Sequence, residues 1–163
     1  MVARSVHRSA PAPRGSRSTR RLVGVSAPHP VGLLDTSTLI LLPRLFDPSA
    51  LPGEALITAV TLAELSVGPL VTAGRERESR QAVLQQAEAD FDPLPFDVPA
   101  ARAFGRVAAS LRRAGRKPAA SAYDAMIAAI AISNDLPLYT CNPQDFKGID
   151  GLTVVGVAHP DHP

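Results

Sequence analysis

The chain has 163 residues, 45% of them hydrophobic, which suits one domain; with two Tyr, five Phe and no Trp, its core must rest on Ala, Leu, Val and Ile. The single cysteine, Cys141, excludes an intramolecular disulfide and fits a reducing, cytoplasmic compartment; the lack of CxxC and HExxH argues against zinc, and no apolar run nears the ~20 residues of a membrane span. The formal charge of +2 hides two parts: residues 1–30 hold six of the 17 basic residues and no acid, leaving 11 basic against 15 acidic residues, or −4, for the rest.

Residues 1–30 are rich in Arg, Ser, Pro and Ala without hydrophobic periodicity, which predicts disorder. Three readings stay open: a nucleic-acid-binding arm, an organelle transit peptide, or a start assigned too far upstream, with Val31 opening the compact domain. A secretory signal is excluded, because no apolar segment of about 7–15 residues follows the arginines. Val31-Gly32-Leu33-Leu34 then reads as a strand apolar on both faces, as in a covered parallel sheet, and it stops at Asp35. Residues 37–45 read as a helix cut short by Pro43, 48–53 as a loop and 54–59 as a second strand. A helix should open at Thr61 with Glu64 as its capping-box partner, be broken at Gly68-Pro69 and end by Gly74.

Residues 75–90 predict a charged helix with Val83, Leu84 and Ala87 on one face, and 91–96, with two prolines, an edge strand. Ala103, Val107 and Leu111, four apart, mark a helix over 99–114 with Gly115 just beyond it. Residues 121–134 are nearly apolar after one turn, hence a buried central helix. A strand over 136–140, a short helix from Asn142-Pro143 and a strand over 153–157 complete an α/β order with a parallel sheet, followed by a loose tail at 159–163.

Four acids draw notice, and each has a local alternative. Asp35 could cap the helix after the first strand, Glu64 and Asp124 stand three residues after Thr61 and Ser121, and Asn142 could cap a turn with Asp145 three further on. Taken together they say more. Junctions that follow parallel strands share one sheet edge, so these side chains converge. Clustered carboxylates repel unless a cation neutralises them, and hard oxygen ligands that leave room for water suit Mg²⁺ or Mn²⁺. Tyr123 reads as core packing ahead of substrate stacking. Arg112, Arg113, Arg116 and Lys117 form either a solvated helix end or a contact for a polyanion backbone.

Leu34-Asp35-Thr36-Ser37, Thr61-Leu62-Ala63-Glu64-Leu65, Tyr123-Asp124-Ala125-Met126-Ile127-Ala128-Ala129 and Thr140-Cys141-Asn142-Pro143-Gln144-Asp145-Phe146, in this order, carry a resemblance. The chain resembles the PIN-domain ribonucleases, most closely the VapC-type toxins of bacterial toxin–antitoxin pairs. The resemblance implies a PIN-like α/β/α sandwich with a short central parallel sheet over residues 31–158. It also implies a Mg²⁺-dependent endoribonuclease, with Mn²⁺ as a substitute, in which Asp35, Glu64 and Asp124 are the first three acids. Many relatives have aspartate where this chain has Asn142; others have the Asn with an Asp three residues later, as here. Asp145 is then the fourth carboxylate, acting through water, and Asn142 a neutral contributor to the metal site. Further implications are an RNA substrate cut to 5′-phosphate and 3′-hydroxyl ends, a homodimer, and a cognate antitoxin seated on the faces of 39–46 and 65–71. The alternatives are a PIN-like RNA-processing nuclease without an antitoxin, and a non-catalytic binding module whose acids only cap helices.

Overall fold

A computed structural model describes residues 20–21, 29–117 and 121–161. The apolar run Val31–Leu34 forms β2, the middle of the sheet, with β3 (Glu54–Leu56) on one side and β4 (Leu138–Thr140) on the other, both parallel to it. β5 (Val154–Gly156) extends the sheet in parallel beyond β4, and β1 (Arg20–Arg21) adds a short antiparallel edge to β3, giving the order β1-β3-β2-β4-β5. Apart from Arg20, Arg21, His29 and Pro30, the disorder predicted for residues 1–30 lies outside the described residues.

Side chains leave a strand alternately to its two faces, and the core divides accordingly. Leu33, Leu56 and Leu138 pack with α4 (Val98–Arg113) and α5 (Ala122–Ser133). Leu34, Ala55, Ile57 and Tyr139 face the other way, toward α1 (Thr36–Leu41), α2 (Ala59–Val67) and α3 (Gly74–Asp90). The result is the expected α/β/α sandwich. α5 is apolar nearly all round because it lies inside, with Ala125 and Ile127 to Ala131 buried. Gly32 serves one close approach: a Cβ there would stand 2.4 Å from Cε2 of the Tyr139 ring on the neighbouring strand.

Several elements differ from their sequence reading, each for a local reason. The second strand ends at Leu56, since Thr58 is already the cap of α2: its hydroxyl accepts the Thr61 N–H at 3.0 Å. That helix therefore begins before Thr61, and the capping box of Thr61 with Glu64 does not form. The first helix ends at Leu41, and Pro43 sits in the 3₁₀ turn Leu42–Arg44 that follows. Gly74 opens α3 and ends nothing. Residues 91–96 make no edge strand, only a single bridge between Leu94 and Thr58, as Pro93 and Pro95 have no N–H to continue a ladder. Among the described residues no helix is long and apolar enough to cross a membrane.

Candidate active site

The chain runs from β2 to β3 on one side and crosses to β4 on the other, so the C-terminal ends of β2 and β4 border the point where strand order reverses, where open α/β sheets place their ligands. Asp35 follows β2 directly. It does cap α1, accepting the Thr38 N–H at 2.8 Å, but its second oxygen accepts from the Ser37 and Thr140 hydroxyls, each at 2.8 Å. Three donors and 5% exposure leave this carboxylate a single orientation. The Thr140–Asp35 bond joins the two strand ends, as does the Cys141 N–H donating to Thr38 Oγ1, while Asn142 N–H donates to Thr140 Oγ1.

Glu64 lies within α2 and accepts from the Thr36 hydroxyl, so it reaches across to the start of α1. Burial and then the neighbouring Asp35 charge raise its pKa, against the opposing pull of the Thr36 bond. Asp124 stands in the first turn of α5, where Ser121 makes no side-chain cap hydrogen bond, so the capping box proposed for this pair is absent. Its pKa is pushed up to about 6, first by burial, then by the charges of Asp145, Glu64 and Asp35, with Arg116 opposing. Asp145 occupies the 3₁₀ turn Pro143–Phe146, and Asn142 Nδ2 donates to its carboxylate at 2.8 Å. Four carboxylates from four elements thus share one electrostatic environment.

An all-oxygen acidic set of this kind suits a hard divalent cation. As the side chains lie, no three His, Cys, Asp or Glu among the described residues form a direct ligand set for a metal ion.

Beside Glu64 a cavity of about 310 Å³ opens between α1, α2 and α3, lined by Thr36, Ile40, Leu65, Arg80 and Val83 among others. Ile40, Phe46, Val67, Leu70 and Val71 are exposed around the same helices, Phe46 and Leu70 by 80%. Tyr123, read as core, is instead half exposed one residue before Asp124.

The basic cluster divides. Arg113 pairs with Asp150 at 2.6 Å, Arg116 donates to the main-chain carbonyls of Asp145 and Lys147, and Arg112 and Lys117 are exposed. The sequence reading missed the hydroxyls of Thr36, Ser37, Thr38 and Thr140. Their signal was the Thr-Ser-Thr run after Asp35 and a threonine at the end of β4.

The PIN domain profile matches residues 33–152. Ribonuclease VapC5 of Mycobacterium tuberculosis is 36% identical over 128 residues, covering 77% of this chain and 93% of that protein. A tRNA(fMet)-specific endonuclease VapC of Shigella flexneri is 35% identical over 100 residues, 61% of this chain and 73% of its own length. Among solved structures, VapBC-5 of M. tuberculosis, a member of the VapBC family of toxin–antitoxin systems, superposes with a TM-score of 0.68 at 36% identity, covering 78% of this chain and 99% of the matched one. The chain belongs to the PIN-domain family, in its VapC ribonuclease branch.

Proposed function

We propose that the chain is a Mg²⁺-dependent endoribonuclease, the toxin of a toxin–antitoxin pair, with Asp35, Glu64, Asp124 and Asp145 as its working acids. The observation that carries this reading is the convergence of those four carboxylates at one sheet edge, felt most strongly at Asp124. Asp35 and Asp124 would hold the ion directly, Glu64 and Asp145 through water, with Asn142 beside them. A bound Mg²⁺ or Mn²⁺ supplies an activated water and steadies charge on the scissile phosphate. The residues themselves do the positioning. Three hydrogen bonds fix Asp35, Thr36 fixes Glu64, and Asn142 orients Asp145, so little reorganisation is needed when substrate arrives. Arg112, exposed in the last turn of α4, and Lys117, exposed beyond it, would meet the RNA backbone.

The antitoxin reading draws support from the cavity beside Glu64 and the apolar side chains around it, and from related structures described as a member of a family of toxin–antitoxin systems and as a toxin–antitoxin complex. A segment laid there would cover Ile40, Phe46 and Leu70 and reach the acids with a cation. Leu70→Glu with Val71→Glu should abolish capture of the antitoxin encoded beside this chain while leaving RNA cleavage intact. A homodimer belongs to the same reading, and light scattering of the purified chain tests it.

The deciding experiment incubates the full chain with a mixed RNA pool in Mg²⁺, in EDTA, and as the Asp124→Asn variant. Cleavage that needs the metal and vanishes in the variant is the expected result. Neither cleavage nor Mg²⁺ or Mn²⁺ binding by calorimetry would return the acids to a structural role.

A further inference from the structure

α4 ends in a complete Schellman motif. Gly115, at φ +73°, donates to the Arg112 carbonyl at 3.0 Å, and the Arg116 N–H to the Leu111 carbonyl at 2.9 Å. The main chain of Arg116 is thereby held in place at the foot of α4, and its side chain is partly buried. Nη1 donates to the carbonyls of Asp145 at 2.7 Å and Lys147 at 3.1 Å, across the turn that carries Asn142 and Asp145.

The joint is tight elsewhere too. Ser110 and Arg113 both bind the Asp150 carboxylate, at 3.0 and 2.6 Å. A Cβ on Gly148 would meet the Ala114 Cβ at 3.0 Å, so the segment after the turn lies directly on the α4 cap. Three side chains of one helix end therefore grip residues 145–150.

We propose that Arg116 is a positioning residue, one that holds the turn bearing Asn142 and Asp145 against Asp124, and that it is not a contact for RNA. This rests on the nuclease reading. The Nη1 group of Arg116 is engaged by two main-chain carbonyls, which anchors its guanidinium on the turn, whereas Arg112 and Lys117 of the same cluster are exposed. Losing the two bonds lets the turn drift. The fourth carboxylate then no longer meets an ion held by the others.

The test compares the full wild-type chain with Arg116→Met, which keeps the apolar stem and removes the donors, and with Arg116→Lys. Mn²⁺ affinity is read by calorimetry, kcat and KM on an RNA the wild type cleaves, and the dependence of RNA binding on salt. Arg116→Met should lose about tenfold in Mn²⁺ affinity and in kcat, with KM and the salt slope unchanged. Arg116→Lys should recover most of that loss, since an ammonium can also reach two carbonyls. A raised KM with a flattened salt slope and unchanged Mn²⁺ affinity would make Arg116 an RNA contact and overturn the proposal, as would wild-type behaviour. If the methionine variant does not fold, Gly148→Ala loosens the same joint from its other side and must show the same loss of Mn²⁺ affinity at unchanged KM. A wild-type chain that neither binds Mn²⁺ nor cleaves RNA overturns the nuclease reading itself, an outcome separate from all of these.

Discussion

Replacing Asp124 with Asn should make the metal-free chain more stable at neutral pH. The Asp124 pKa rises from an ordinary 3.8 to about 6 in the folded chain. The folded state therefore binds more protons than the unfolded state between those values, and stability falls as pH rises through that window. The full shift corresponds to about 3 kcal/mol. The carboxylate is only half buried, and solvent screening cuts this to about 1.5 kcal/mol. In EDTA, urea titrations of the two proteins should nearly coincide near pH 4 and separate by about 1–2 kcal/mol above pH 6.5, the variant being the more stable. Saturating Mn²⁺ should reverse the order, because only the wild type gains binding energy: about 2.7 kcal/mol at a hundred times Kd. A variant less stable than wild type in EDTA at pH 7.5 would refute the claim that Asp124 is held under electrostatic tension.

Asp35→Asn should act in the opposite direction, costing about 1–2 kcal/mol at pH 7.5 in EDTA, since its second oxygen accepts two hydroxyls that an amide nitrogen cannot satisfy; the same urea titration reads it. Gly32→Ala should cost about 1–3 kcal/mol, because the new methyl would lie 2.4 Å from the buried Tyr139 ring, and thermal melts would show it. Arg112→Gln with Lys117→Gln should flatten the salt dependence of RNA binding by about 1.4 in slope, as two phosphate contacts on a single strand predict. An unchanged slope would remove both residues from the RNA path.

The sandwich was legible because its signals are long or doubly redundant. Val31–Leu34 is apolar on both faces, and residues 121–134 carry almost no polar group after the first turn, so both had to be internal. Boundaries set by a single hydrogen bond were not legible. Thr58 and Thr61 are equally good caps by type, and only the structure shows that Thr58 accepts from Thr61 and thereby leaves Glu64 clear of any capping duty. The acids themselves could be named from the chain, but not their tethers. Thr140 and Asp35 are 105 residues apart, and nothing local links them. Arg116 illustrates the limit best: by composition it belongs with Arg112 and Lys117, and only its bonds to two distant carbonyls separate it from them.

The crossing from β3 back over β2 to β4 also decides how far apart in the chain the parts of the candidate site lie. β3 lies on one flank of β2 and soon after it in the chain, whereas β4 and the turn bearing Asp145 come much later in the chain and lie on the other flank. The segment before β4 holds Asp35, Glu64 and Asp124, while Thr140, whose hydroxyl donates to Asp35, and Asp145 come after it begins. The candidate site is thus built from both ends of the domain, and it is whole only when the turn near residue 145 meets the end of β2.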